Sequence, residues 1–258
     1  MWDPTTYLTY ADERGRPFYD LVGRIATEKP RAVVDLGCGP GTLTATLTTR
    51  WPDATITGID SSAEMIAQAR TLDAPVTFRT GTVQDWQPGP DTDVVTCNAT
   101  LQWVPGHEAL LSRWAGELPS SAWLAFQVPG NFTAPSHQTL RVLAAETEWR
   151  DHLAGVLRHE RPVLDPTGYA ELLHAAGCSV DAWETTYLHV LPTTPDGDHP
   201  VLRWMEGTAL RPVQAALTDA DWVEFRAELG ARLAGEYPVK DGQALFPFRR
   251  IFVVAQTS

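Results

Sequence analysis

The sequence has little cysteine, a shortage of basic residues and no long apolar run. Its 258 residues include three cysteines, and Lys+Arg 20 stands against Asp+Glu 32, which gives a formal net charge of -12. Three scattered cysteines predict neither a disulfide framework nor a metal site. A chain this acidic repels polyanions, so nucleic acid and anionic membranes are poor candidate partners.

The chain also lacks the features of export or membrane insertion. No stretch approaches the roughly 18 consecutive apolar residues that a membrane span needs. The first residues show no basic region followed by an apolar one. We therefore expect no signal peptide, no membrane span and a cytoplasmic location. The sequence does not set the oligomeric state, with a monomer slightly favoured.

What the sequence does contain is an alternation of apolar strands and helix patterns, from a strand at 31–36 to one at 122–128. This cadence predicts an α/β fold with a doubly wound, Rossmann-like sheet, mostly parallel. We expect an antiparallel last strand at 248–255. The less regular second half is predicted to hold a mixed helical stretch at 136–158 and helices near 201–210 and 219–236.

The domain organisation follows from these elements. We expect residues 1–258 to form a single domain, with cap insertions at about 129–165 and 192–246. Both insertions would lie over the carboxyl ends of the strands, which is where α/β sheets bind their ligands.

A glycine-rich turn follows the first predicted strand. The strand carries Asp35 near its end, and the turn places glycines at Gly37, Gly39 and Gly41. Such a turn needs positive φ angles and lets a ligand approach the backbone closely. The D-x-G-x-G-x-G spacing does not match the dinucleotide pattern G-x-G-x-x-G. It resembles motif I of the class I S-adenosylmethionine (SAM) methyltransferases, in which these glycines pack against the methionine part of SAM.

A second acidic residue, Asp60, ends the next predicted strand, 19 residues after Gly41. A carboxylate there can accept hydrogen bonds from both hydroxyls of a ribose, in SAM or in NAD. The alternative interpretation is that Asp60 belongs to a helix cap, in which Ser61 or Ser62 would begin the next helix. Asp35 favours SAM, because a carboxylate beside the loop would repel a pyrophosphate and suit a cationic amino acid. Asp35 would orient the loop or reach the amino group of the cofactor.

The predicted adenine site departs from the usual pattern. Class I enzymes usually carry an Asp after the third strand, and this chain has Thr82 in that position and Asp85 three residues later. Either Thr82 and the backbone around Val83 hold the adenine, or Asp85 does. After the fourth strand, Asn98 begins a segment that resembles motif IV, whose start faces the methionine part of the cofactor and whose end faces the acceptor.

Further motifs resemble one family, the trans-aconitate 2-methyltransferases. They are Glu13–Pro17, Asp35–Gly41, Ile56–Ser62, Leu101–Trp103, Thr185–Tyr187, Leu210–Pro212 and Arg250–Phe252. The resemblance implies transfer of the SAM methyl to a carboxylate of trans-aconitate, giving a monomethyl ester and S-adenosylhomocysteine (SAH). Thr82, where the family carries Asp, is the main departure.

The implied chemistry needs little from the protein. A carboxylate with a pKa near 4 is already ionised at pH 7, so we expect positioning rather than a catalytic base, and no metal. A small anionic tricarboxylate in so acidic a protein calls for arginine, whose planar fork binds carboxylates. The candidate acceptor-binding residues are Arg211 in a helix-ending turn, Arg250, Arg16, His137, Tyr187 and Trp103.

Three alternatives stay open. The enzyme could methylate another small acceptor, and a hydroxyl acceptor would need a base such as His137 or His107. The chain could be a SAM-binding module without catalysis. It could also be an NAD dehydrogenase, which the glycine spacing and Asp35 disfavour.

Overall fold

The computed structural model describes residues 11–157, 162–193 and 197–258, with side chains from residue 15 onwards. Strands and helices alternate in the first half. They are α1 (Ala11–Val22), β1 (Ala32–Leu36), α2 (Thr42–Arg50), β2 (Thr55–Asp60), α3 (Ala63–Ala69), β3 (Val76–Thr80), β4 (Thr92–Asn98), α4 (His107–Glu117) and β5 (Trp123–Pro129). Short 3-10 helices follow β4 at Leu101–Trp103 and β5 at Asn131–Thr133.

The second half contains mostly helices and two long strands. The elements are α5 (Pro135–Ala144), α6 (Pro166–Ala175), β6 (Cys178–Pro192), α7 (Pro200–Glu206), α8 (Arg211–Ala216), α9 (Asp219–Glu236) and β7 (Gln243–Thr257). No helix in the described ranges is long and apolar enough to cross a membrane.

The seven strands form one sheet in the order β3-β2-β1-β4-β5-β7-β6. Pairing is parallel from β3 through to β5, and β7 runs antiparallel to β5, with Gln127 opposite Phe252. The predicted mostly parallel α/β sheet with an antiparallel last strand is confirmed.

The central strands are buried on both faces, as parallel strands between helices usually are. Val33, Val34 and Leu36 of β1 are all buried. On one face, Trp114 of α4 and Tyr169 of α6 belong to the main hydrophobic cluster of the sheet. With both faces covered, the strand ends and their loops are what the sheet offers to a ligand.

The mixed helical stretch predicted at 136–158 is a regular helix only in its first part. Helix α5 ends at Ala144, and the described residues after it form successive turns. Trp149 and Leu153 are buried there, with Trp149 N–H bonded to the Glu146 carbonyl. Their four-residue spacing matches the period of a helix, which explains the longer prediction.

Two other predicted boundaries also differ. The helix predicted at 201–210 ends at Glu206, and a new helix, α8, starts at Arg211 with Pro212 in its first turn, where proline is tolerated. The last strand starts at Gln243 rather than 248. Pro247 led to that error, since proline inside an apolar run argues against a strand.

The chain divides into two compact units. The first contains 1–129, 163–185 and 250–258, and the second contains 130–162 and 186–249. The segments of the second unit overlap the predicted insertions, whose residues 158–161 and 194–196 lie outside the described ranges. The single-domain organisation stays a prediction, and each unit is described by itself below.

Candidate functional site

The glycine turn joins β1 to α2 in the first unit, and its three glycines serve different purposes. All have left-handed φ angles, +76° at Gly37, +55° at Gly39 and +78° at Gly41. A Cβ on Gly37 would lie 2.0 Å from Thr100 Oγ1, and one on Gly41 would lie 2.6 Å from Phe78 Cζ. A Cβ on Gly39 would meet nothing within 4 Å. Gly39 is therefore the loop glycine beside open space, where a ligand can approach the backbone.

Phe78 of β3 explains two of the nearby glycines. Its buried ring packs with Cys38 and Ala69 in a small cluster beside the loop. It also fills the space beside Gly58 of β2, where a Cβ would lie 2.7 Å from Phe78 Cδ1. The same ring thus requires glycine at both 41 and 58. It also packs against the glycine turn, through Cys38.

Asp60, at the end of β2, has a carboxylate fixed by two backbone groups. Its Oδ2 accepts the Gly39 N–H at 2.9 Å, and its Oδ1 accepts the Ser62 N–H at 2.8 Å. Ser62, not the exposed Ser61, caps α3 by accepting the Met65 N–H. Each carboxylate oxygen keeps further acceptor capacity. The carboxylate is therefore oriented in advance and able to accept ligand hydroxyls.

Asp35 is buried and its carboxylate is enclosed by two hydroxyls. Thr44 Oγ1 donates to Oδ2 at 2.5 Å, and Thr96 Oγ1 donates to Oδ1 at 2.9 Å. Burial raises the pKa of Asp35 to about 6, and the charge of Asp60 adds to the rise. Since this carboxylate ties β1 to α2 and β4, its geometry favours a loop-orienting role over a direct ligand contact.

The turn after β3 joins the two residues that were alternatives for the adenine site. Thr82 Oγ1 donates to Asp85 Oδ2 at 2.6 Å and accepts the Asp85 N–H at 3.2 Å. Both residues are exposed, whereas the Val83 side chain is buried in the main cluster. Thr82 and Asp85 thus form one hydrogen-bonded pair, and Val83 can offer only its backbone. Their contact with adenine stays a prediction.

A buried chain of polar side chains runs from the middle of β7 through β5 to the end of β4. Arg250 Nη1 donates to Gln127 Oε1 at 3.2 Å, and Gln127 Nε2 donates to Asn98 Oδ1 at 2.7 Å. Arg250 and Gln127 are both buried. The next residue, Ala99, has a left-handed φ of 53° and donates its N–H to the Gln127 carbonyl at 2.9 Å. Such strain in a non-glycine residue is typical of functional sites.

The other candidate acceptor residues of the first unit lie at its surface. Arg16 is exposed on α1, with its Nε 3.9 Å from Asp20 Oδ2. Trp103, in the short 3-10 helix after β4, is 39% exposed, which is unusual for so large an apolar side chain. An exposed tryptophan at the end of the segment that resembles motif IV can form the wall of a pocket.

Three candidates lie in the second unit. His137 of α5 packs edge-on against Phe132, with ring centroids 5.5 Å apart, and its Nδ1 lies 3.3 Å from Ser136 Oγ. Tyr187 of β6 is buried. Arg211 is partly exposed as the first residue of α8, so its predicted place in a helix-ending turn was wrong. The roles of all three stay predictions.

Sequence reasoning missed Thr44, Thr96, Gln127 and Phe78. Gln127 carried a signal, because it is a polar residue inside the apolar strand Trp123–Pro129. A buried polar side chain there must find partners, and this one links two candidate site residues. The other three gave no signal, since hydroxyl and aromatic residues are ordinary in strands and helices. No group of three or more potential metal ligands clusters in the described ranges.

Comparisons with known proteins identify the family. A family model described as a methyltransferase domain matches residues 10–182. A trans-aconitate 2-methyltransferase of Mycolicibacterium gilvum is 57% identical over 99% of both chains. The protein of that name from Rhodococcus jostii is 55% identical, also over 99% of both chains.

Solved structures add the fold. The YcgJ protein of Bacillus subtilis has a TM-score of 0.58 at 13% identity, with 94% of this chain and 98% of that chain covered. A phosphoethanolamine N-methyltransferase of Haemonchus contortus has a TM-score of 0.54 at 14% identity and covers 94% of this chain and 53% of its own. From its full-length relatives and its methyltransferase sheet, the chain belongs to the trans-aconitate 2-methyltransferase family.

Proposed function

We propose that this protein transfers the methyl group of SAM to a carboxylate of trans-aconitate, giving the monomethyl ester and SAH. The observation that carries the proposal is the open face at Gly39, beside a carboxylate that the loop itself orients. The curated relatives, which match over nearly their whole length, carry the name of this reaction.

The residues at the ends of β1 and β2 fit the cofactor. The open side of Gly39 lets a ligand approach the loop, and Asp60 can accept ribose hydroxyls without reorienting. The exposed Thr82–Asp85 pair supplies an acceptor oxygen for an adenine amino group. Ser61, which follows Asp60 and is exposed, is a further candidate for cofactor binding. Once bound, SAM supplies an electrophilic methyl group on a positively charged sulfur.

The acceptor needs no general base, because its carboxylates are ionised at neutral pH. Asp35 is unsuited to that role, since its carboxylate is buried and already accepts hydrogen bonds from Thr44 and Thr96. The protein must hold an anionic acceptor in line with the methyl group and exclude water from the site. We assign direct anion binding to Arg211 and Arg16, whereas Arg250 is buried and donates to Gln127, so its charge would act on the acceptor indirectly.

One geometric detail removes one of the two candidate bases for a hydroxyl acceptor. His107, one of two candidate bases, is buried with both ring nitrogens engaged. Its Nε2 lies 2.7 Å from the Tyr169 hydroxyl and its Nδ1 lies 3.2 Å from the Val104 carbonyl. A histidine so enclosed is structural and has no nitrogen left for a substrate proton.

The test is a methyl-transfer assay with labelled SAM against trans-aconitate, cis-aconitate, isocitrate and citrate, with products identified by mass spectrometry. We expect a monomethyl ester from trans-aconitate with a much higher kcat/KM than from the others. Binding of SAH without turnover on any of them would instead support a SAM-binding module. Turnover of a different acid would keep the reaction class and replace the substrate.

A further inference from the structure

We propose that Gln127 is a positioning residue that makes Asn98 present an N–H donor to a carboxylate of a bound ligand. The proposal rests on the proposed function, because the ligand carboxylate would belong to SAM or to trans-aconitate. Gln127 itself is buried, so it would act on the ligand through Asn98.

The direction of the polar chain follows from hydrogen-bond chemistry alone. A guanidinium has only donors and stays charged at every accessible pH, so the Gln127 atom that faces Arg250 must be its oxygen. The amide nitrogen of Gln127 then faces Asn98, whose oxygen must receive it. The Asn98 Nδ2 group is therefore the end of the chain that remains for another partner.

That Nδ2 group is available. Within the described ranges it donates to no residue, and Asn98 is partly exposed. Asn98 also lies beside the glycine loop. In the β1–β4 register Thr96 is opposite Asp35, and the Thr100 side chain lies against Gly37. Asn98 lies between Thr96 and Thr100 in the chain, so we expect its amide to face a ligand that approaches the loop.

Because the hydrogen-bonded chain starts at a cation, Arg250, it favours an anionic ligand atom at its other end. Because Arg250 polarises the Gln127 amide, and Gln127 in turn polarises that of Asn98, the terminal N–H becomes a stronger donor for an anionic oxygen. In a chain of net charge -12, this relay offers a positively polarised group without exposing a further cation. Carboxylate is the anionic group shared by the amino-acid end of SAM and by trans-aconitate.

Gln127→Glu is the decisive variant. Its carboxylate keeps the shape of glutamine and pairs with Arg250, but it can only accept from Asn98. The Asn98 amide must then turn by half a rotation and present its oxygen to the ligand, which repels a carboxylate. Asn98→Asp presents an oxygen at the same place while Gln127 is intact. We expect either variant to lower the affinity for one of the two carboxylate ligands, SAH or trans-aconitate, by about tenfold or more.

The measurement is calorimetry of SAH binding and then of trans-aconitate binding to the SAH complex. A lower affinity for SAH identifies the cofactor carboxylate as the group that Asn98 binds. A lower affinity for trans-aconitate in the second titration identifies the acceptor carboxylate instead. The control is Gln243→Glu, an exposed residue of β7 with the same charge change. Melting temperatures report folding, and if Gln127→Glu does not fold, Asn98→Asp decides.

Unchanged affinity on both arms, with folded variants, would overturn the positioning role. If the wild-type protein binds SAH but not trans-aconitate, the proposed function fails while the SAH arm still decides this inference. An equal loss in Gln243→Glu would also overturn it, since the effect would then be one of net charge.

Discussion

The Asp60 carboxylate holds Gly39 across 21 residues of chain, with its Oδ2 accepting the glycine N–H at 2.9 Å. Its other oxygen accepts the Ser62 N–H at the start of α3. Residue 60 therefore orders the loop that a cofactor would touch and keeps acceptor capacity for that cofactor. Removing the Asp60 carboxylate should therefore affect both the order of the loop and the binding of the cofactor.

Asp60→Asn should weaken SAH binding by about 1–3 kcal/mol, because an amide group would face a backbone donor on one side of the residue. Calorimetric titration with SAH checks this. Asp53→Asn, at an exposed position, removes the same charge and should bind SAH as the wild type does. An unchanged affinity in Asp60→Asn would remove this residue from the cofactor site.

Two glycines of the loop should respond differently to alanine. Gly41→Ala adds a Cβ 2.6 Å from Phe78 Cζ, so it should cost about 1–3 kcal/mol of folding stability beyond the strain of its positive φ. Gly39→Ala has room for the methyl group, so it should keep more stability and lose SAH affinity. Thermal unfolding and calorimetry on both variants separate the effects. Phe78→Leu should restore part of the stability of Gly41→Ala and none of the affinity of Gly39→Ala.

Asp35→Asn should change how stability depends on pH. The pKa of Asp35 is raised from 3.8 to about 6, so the folded state binds the extra proton between these values. The contribution of Asp35 is therefore most favourable below about pH 4 and declines as the pH rises to 6, by roughly 3 kcal/mol in all. The variant should gain on the wild type over this interval in urea unfolding. A constant difference from pH 4 to pH 7 would show that Asp35 does not titrate there.

An ion cluster in the second unit should support its stability. Arg226 bonds Asp198 through both terminal nitrogens and Glu206 through Nε, with these side chains only about a quarter exposed. The guanidinium lowers the pKa of Asp198, so its contribution is present above the unfolded pKa and lost as pH falls through the lowered one. Asp198→Asn should cost about 1–3 kcal/mol near pH 7 in urea unfolding.

The matched control for that cluster is Glu224→Gln, an exposed carboxylate on the same helix as Arg226. It should leave stability within about 0.5 kcal/mol of the wild type. Equal effects of the two variants would mean that the cluster contributes only its overall charge.

Arg211→Ala should raise the KM for trans-aconitate by about 10- to 100-fold, because a charged hydrogen-bonding group contributes about 1.5–3 kcal/mol. SAH affinity should stay nearly constant. Arg150→Ala, an exposed arginine of the second unit, serves as the control in steady-state assays. If KM does not change, Arg211 has no part in acceptor binding.

The sheet could be predicted because its signals are local. Apolar runs at β1 to β5 and the glycines after β1 each specify their own conformation, and the strand alternation follows from them. The turns after Ala144 could not be predicted in this way. Trp149 and Leu153 are spaced as in a helix, although the chain there forms successive turns. Their conformation depends on tertiary burial, which no local pattern records.

The same distinction applies to the site. The sequence could mark Asp60 and Gly39 by spacing, but not the hydrogen bond that joins them. Gln127 connects Asn98 to Arg250 only because three strands from distant parts of the chain lie side by side. Such residues act through neighbours, so they carry no motif of their own.

The ring of Phe78 has a consequence for the history of this fold. It occupies the space of a Cβ at both Gly41 and Gly58. A substitution at 58 can be accepted only if 78 has first become smaller, whereas a reduction at 78 alone leaves a cavity. The two positions on neighbouring strands should therefore change in a fixed order, and homologous sequences should show them varying together.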